Sequence, residues 1–287
     1  GFIGRWFIEE FKEKYSFIGL SRSPFESSQN QGDVEWRAVD LYSLTSSTNA
    51  VEGADYAIYL VHSMQPSTRL SQGDFEDTDL ILADNFARAC EAQGVKQIVY
   101  VGGILPKEKD ISDHLRSRFE VEQTLGSRKT PLTTIRAGLI IGPGGSSFKI
   151  IEKLVSRLPV MACPKWTLSK TQSVALKDML TILDYCIGNS ESFNEVIDVG
   201  GHRVMTYKEM LTLTAKIMGK KRLVIPLPFF SVGLSKLWVS IFSDSSIPFI
   251  SPLVESLKHS MIADDHPLIE KMGLDFISFE EAVKFAL

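Results

Sequence analysis

A chain of 287 residues that is 44% hydrophobic and 23% charged can bury a substantial core, as one large α/β domain or a domain with an appended lobe. Its formal charge of −4 gives no electrostatic case for nucleic acid or an anionic membrane. Three cysteines, Cys90, Cys163 and Cys186, are odd in number and outside any CxxC pattern. That argues against a disulfide framework or zinc site and fits a reducing, cytoplasmic setting.

The chain opens GFIGRWF, Gly1 to Phe7, with glycines three apart leading into a helix expected from about Arg5 to Glu13. No basic n-region with a following apolar h-region is visible, so no signal peptide is expected. Helix N-termini favour phosphate because free backbone N–H groups and the dipole both attract an anion. Gly1, Phe2, Ile3 and Gly4 are therefore a candidate diphosphate-binding turn, although the spacing alone is not specific.

Short β-branched runs follow at Tyr15–Arg22, Val34–Asp40, Ala54–His62, Lys96–Gly103 and Leu132–Gly142. Most are almost continuously apolar, as strands covered on both faces are. Between them lie a helix from about Phe75 to Gln93, stopped by Gly94, and another from Ser112 to Leu125, stopped by Gly126. The alternation predicts an α/β fold with a doubly wound parallel sheet.

After Gly142–Ser147 (GPGGSS) the pattern changes. A helix is expected near Phe148–Arg157, then a proline-punctuated stretch to Trp166. A strand-to-helix return follows within Gln172–Ile187, a strand within Glu195–Gly201 and an amphipathic helix over Met205–Gly219. The stretch Leu223–Phe242 is long enough to span a membrane, but Pro226, Pro228, Gly233 and Lys236 interrupt it. It reads as a short strand, a proline-bounded turn and a helix. A membrane-surface contact, or a mouth for a greasy substrate, is the alternative.

Roughly 20 residues past the glycines, a doubly wound dinucleotide fold places the residue that meets the adenosine ribose. A carboxylate there selects NAD, and an arginine accommodates the 2′-phosphate of NADP. Here Arg22 stands between Ser21 and Ser23, with no acid until Glu26. NADP(H) is the expected cofactor and NAD the alternative.

The ordered set GFIG, GLSRSP, VDL (Val39–Leu41), LVHSM (Leu60–Met64), DNFARACEAQGVKQIVYVGG (Asp84–Gly103), IRAGLIIGPGG and DVGGHRVMTYKEM resembles the atypical and extended short-chain dehydrogenase/reductases. This is the epimerase/dehydratase and NmrA-like group, and the likeness runs along nearly the whole chain. The resemblance implies that Asp40 and Leu41 flank the adenine, and that Leu60, Val61 and His62 line the cofactor. It also implies that Gly102 lies near the nicotinamide ribose, that Ala137 and Gly138 close over the ring, and that a first strand stands upstream of Gly1. The implied organisation is a dinucleotide-binding domain over 1–145, with a return strand and helix at about 171–200. A smaller lobe for a substrate takes 146–170 and 201–287.

Family members that reduce carbonyls carry Ser or Thr after the strand that here ends in Gly102–Gly103, then Tyr-x-x-x-Lys on the next helix. Hydride transfer leaves an alkoxide that needs a proton, and a tyrosine supplies it when a nearby lysine lowers its pKa. This chain aligns His114 with the tyrosine and Arg118 with the lysine, four apart on one helix face. Histidine can donate a proton near neutral pH; arginine can bind ribose or phosphate but cannot relay a proton.

Three readings stay open. His114 and Arg118 serve a noncanonical NADP(H) oxidoreductase acting on a small, hydrophobic ligand. Alternatively the pocket binds dinucleotide without turnover, as in NmrA-like redox sensors and the Rossmann-fold accessory subunit of respiratory complex I. Or the fold is an interaction scaffold, with the protein partner unidentified. The resemblance also implies that Asn85, mid-helix where the family tends to keep an asparagine, anchors backbone near the site. Asp264, Asp265 and His266 lack metal-ligand spacing, so no metal is expected.

Overall fold

A computed structural model describes residues 1–22, 34–62, 75–108, 111–227, 251 and 254–287. The first half alternates as the sequence pattern requires: α1 (Phe2–Phe11), β1 (Phe17–Ser21), β2 (Val34–Ala38), α2 (Leu44–Ala50), β3 (Tyr56–Tyr59), α3 (Phe75–Ala92), β4 (Gln97–Gly103), α4 (Asp113–Leu125) and β5 (Leu132–Ala137). The second half continues β6 (Ile140–Ile141), α5 (Ser146–Arg157), β7 (Val160–Pro164), β8 (Lys170–Gln172), β9 (Val174–Ala175), α6 (Leu176–Cys186), β10 (Val196–Val199), β11 (Val204–Thr206), α7 (Tyr207–Ile217) and β12 (Leu223–Leu227). Two further helices, α8 (Pro267–Met272) and α9 (Phe279–Ala286), come near the end of the chain.

The parallel α/β sheet expected from the sequence is present. β1 pairs with β2 in parallel, and β3 pairs with β4 in a four-stranded sheet ordered β10-β5-β4-β3. Among the described residues β1 and β3 do not pair.

Local chemistry moves several boundaries. The run Leu132–Gly142 breaks into β5 and β6 at Gly138, where a Cβ would stand 2.5 Å from the carbonyl oxygen of Gln172. The expected helix over Met205–Gly219 starts at Tyr207. Thr206 is its N-cap in a reciprocal capping box with Glu209, which leaves Met205 in β11. Helix α2 was not expected: its sequence, LTSSTNA, is rich in weak helix formers, and Ser43 caps it by accepting from the Ser46 N–H. Of Leu223–Phe242, the strand Leu223–Leu227 is seen, and residues 228–242 lie outside the described residues.

The chain divides into two compact units. The first comprises Gly1–Val101, Phe119–Ile135 and Leu183–Val196. Its core packs Tyr59, Phe86, Cys90, Ile98, Tyr100 and Leu125, with the Tyr59 and Phe86 rings 5.0 Å apart. Burial pushes the Cys90 and Cys186 thiols up to about 12, so both behave as inert core atoms. Within this core Gln97, fully buried, uses its whole amide. Its two Nε2–H groups are shared among Thr133 Oγ1, Cys186 O and Ser192 Oγ, at 2.8, 3.0 and 3.2 Å, and its Oε1 accepts the Gly188 N–H at 2.8 Å.

The second unit comprises Gly102–Arg118, Arg136–Ile182 and Ile197–Leu287. One of its apolar clusters gathers Phe148, Tyr207, Met210, Phe279 and Val283; another gathers Val155, Met161, Cys163, Leu211 and Val254. Asp178 of α6 is 3% exposed and accepts the Ile277 N–H at 3.0 Å. Burial is the main cause that pushes its carboxyl from 3.8 up to about 6, with Asp275 adding to the shift.

Between those values the folded chain holds a proton that the unfolded chain releases. Stability from this group is therefore full below about pH 4 and is lost as pH rises to about 6. Asp178→Asn keeps an acceptor for Ile277 and removes the titration. It should out-stabilise the parent by about 2 kcal/mol at pH 7 and by little at pH 4. Urea denaturation of both chains across this range checks it, and a gap that stays constant with pH would overturn it.

Candidate dinucleotide site

Most of the candidate cofactor residues fall in the first unit. Gly1 is the N-cap of α1, no side chain caps that helix, and the Arg5 N–H already bonds Gly1 O at 3.1 Å. The first-turn N–H groups of Phe2, Ile3 and Gly4 have no intrahelical acceptor, as at any helix start. A Cβ on Gly4 would lie 3.4 Å from Leu60 Cδ1. That contact brings the turn against the segment leaving β3, where Leu60 is half-buried and Val61 and His62 are exposed.

Ser21 closes β1, and its carbonyl accepts the Val39 N–H at 2.8 Å. The bond sets Ser21 and the exposed Arg22 beside the segment that leaves β2 into Asp40 and Leu41. Helix α3 holds that segment. Asn85, 9% exposed, donates from Nδ2 to the Leu41 carbonyl at 2.8 Å, and Thr78 lies 3.3 Å from the Tyr42 hydroxyl. Asn85 is thus the backbone anchor expected of it. Tyr42 and Thr78 went unnoticed in the sequence, where an isolated hydroxyl pair 36 residues apart carries no signal.

The remaining candidates fall in the second unit. Gly102 is half-buried near the end of β4. On α4, His114 is half-buried, with Nδ1 shielded from solvent, and Arg118 is 8% exposed. The two lie one helical turn apart, Arg118 buried and His114 partly so. Ala137 ends β5, and Gly138 packs directly on Gln172.

His266 caps α8 and Asp264 pairs with Lys107, and no metal-holding cluster occurs among the described residues. The donor set of the first unit fits a dinucleotide. First-turn helix N–H groups beside glycines suit a diphosphate, and an exposed guanidinium suits a further phosphate.

The family model described as NAD(P)H-binding matches residues 1–152, more than half of the chain. The chain belongs to this NAD(P)H-binding family. The match bears out the resemblance to the atypical short-chain dehydrogenase/reductases and the expectation of a nicotinamide dinucleotide cofactor.

Among characterised relatives, auxiliary protein GraX of Staphylococcus aureus is 25% identical over 136 residues, 47% of this chain. The match spans 40% of that relative's length. A solved nucleoside-diphosphate-sugar epimerase from Staphylococcus aureus superposes with a TM-score of 0.77 at 11% identity, covering 99% of this chain and 96% of that one. The Citrobacter triphenylmethane reductase complexed with NADP(H) superposes equally well, with a TM-score of 0.77, 16% identity and the same coverage. These likenesses establish the fold. Two different chemistries share it, so fold alone does not select the reaction.

Proposed function

We propose that the NAD(P)H-binding chain is an NADP(H)-dependent oxidoreductase acting on a small, apolar molecule. The observation that carries the cofactor choice is Arg22, an exposed cation just past β1 where an NAD-selective fold places an acid. The NADP(H)-bound Citrobacter reductase supports the same choice.

In this reading the N–H groups of Phe2, Ile3 and Gly4 take the diphosphate, and Ser21 and Arg22 take the 2′-phosphate. Asp40 and Leu41 flank the adenine, while Leu60, Val61 and His62 border the cofactor. Gly102, Ala137 and Gly138 border its nicotinamide end. Residues 1–145 with 171–200 form the cofactor part, and 146–170 with 201–287 the substrate part. When bound, NADPH supplies a hydride. His114 then delivers a proton to the substrate oxygen, and Arg118 holds a ribose hydroxyl or phosphate in place. The buried free thiols support a cytoplasmic setting.

Fluorescence titration tests binding first, since Trp6 in α1 and Trp36 in β2 lie in the first unit. Saturation by NADPH is expected, and no response to NADPH or NADH at about millimolar concentration would leave only the scaffold reading. His114→Ala should then slow NADPH oxidation over a carbonyl panel by about 10²- to 10⁴-fold with cofactor affinity unchanged. A rate indifferent to the change would remove His114 as the acid.

A second reading, dinucleotide binding without turnover, is favoured by a specific feature. β4 ends in two glycines rather than a hydroxyl residue, and α4 contains no tyrosine. NADPH binding without oxidation in any carbonyl assay would establish it. The likeness to an auxiliary protein supports the same reading.

A further inference from the structure

In the second unit, β7 and β12 pair in parallel with Leu223 opposite Val160 and Val224 opposite Met161. One face of this pair is core: Met161 and Cys163 are buried, and Val224 packs on their cluster. The other face should be polar if water were its only neighbour. Instead Val160, Leu223 and Ile225 are 49%, 59% and 38% exposed.

At the turn from α7 into β12 lies a basic depression of about 420 Å³, lined by Thr212 and Ala215 of α7 and by Lys216, Gly219, Lys220, Lys221 and Arg222, the last two directly before Leu223 in the chain. Two of its cations are committed to the end of α5. Arg222 donates to the Val155 and Ser156 carbonyls at 2.7 and 3.0 Å, and Lys220 donates to Ser156 O at 3.3 Å. Lys216 and Lys221 are exposed and make no ion pair among the described residues. The sequence sharpens the contrast with an acidic chain. Met210 to Ser243 contains Lys216, Lys220, Lys221, Arg222 and Lys236, and no Asp or Glu.

We infer that this face docks on an anionic lipid bilayer, with Val160, Leu223 and Ile225 entering the interface and Lys216 and Lys221 meeting the headgroups. The net charge of −4 does not oppose this, because the field of distant acids is screened within about 8–10 Å while the patch charges lie at the contact. Apolar area on β12 and cations directly before it in the chain supply the two terms that add in interfacial binding. A second copy of the chain is a poorer occupant, since a symmetric contact would bring the same cations against each other. Nucleic acid would make no use of the exposed aliphatics.

The test is flotation of the full chain with vesicles of phosphatidylcholine alone or with about 30 mol% phosphatidylglycerol, at roughly 0.1 M salt. Binding to the anionic vesicles, at least about tenfold stronger than to the neutral ones, is expected. Each lysine is worth about fivefold, so Lys216→Glu with Lys221→Glu should weaken binding by roughly 25-fold or more. Leu223→Ser with Ile225→Ser should weaken it further at the same salt, with far-UV circular dichroism of both variants unchanged.

Equal binding to the two vesicle types, or binding to neither, overturns the proposal on the parent chain alone. So does anionic binding that survives the lysine reversals. A chain that self-associates through Leu223 and Ile225 without binding vesicles would assign the face to a second copy instead.

Discussion

Arg22→Ala is expected to weaken NADPH binding by roughly 10- to 100-fold while leaving NADH within about twofold, the range of one lost charge-assisted hydrogen bond. The argument is local. The bond from the Val39 N–H to Ser21 O fixes the end of β1 against β2, so the residue that follows starts from a defined place. Arg22 is exposed there, and its guanidinium can fork around a phosphate that NADH lacks. Arg22→Lys should restore part of the loss, because an ammonium supplies the charge without the fork. Parallel fluorescence titrations with the two cofactors decide it. Equal losses for NADPH and NADH would sink the 2′-phosphate assignment and leave Arg22 a solvated strand-end cation.

The second large effect is on stability. A Cβ built on Gly201, buried just past β10, would stand 2.1 Å from the carbonyl oxygen of Ser173. No side-chain rotation relieves an overlap with backbone, so the 172–174 segment or the 200–203 turn must move. Gly201→Ala should cost about 3 kcal/mol or more and lower Tm by roughly 6–10 °C. Gly103 is the internal control, since its added Cβ would touch only Leu115 Cδ2 at an ordinary 3.8 Å. Gly103→Ala should melt within about 2 °C of the parent. If the two variants melt together, the close approach of Gly201 to Ser173 is wrong.

The elements of the first half were legible because their signals are local. Apolar runs bounded by glycines gave β1 to β5, and Gly94 and Gly126 closed the helices before them. The start of α7 could also have been read, since Thr206 and Glu209 form a Thr-x-x-Glu pair before an apolar run. Contacts between distant segments were not legible. The reason Gly138 and Gly201 must be glycine lies at Gln172 and Ser173, and periodicity does not report which backbones cross. Asn85 was found through its place in a family pattern, whereas its partner, the Leu41 carbonyl, has no residue-type signature at all. The aliphatic face of β7 and β12 was hidden for a similar reason: alternation shows which residues share a side, not whether that side meets protein or water.

The buried amide of Gln97 ties the middle of the sequence to a segment translated much later. Its partners Cys186, Gly188 and Ser192 are translated late, the last of them 95 residues after Gln97. At about 5–20 residues per second, roughly 5 to 20 s pass between the emergence of Gln97 and the arrival of Ser192. Until then Thr133 is the one partner already made, and burying the rest of the amide unpaired would cost about 1–3 kcal/mol. Residues 1–152 carry the whole family match but lack three of the four partners of this amide. The last three partners of that amide reach the cofactor half only with the segment 186–192.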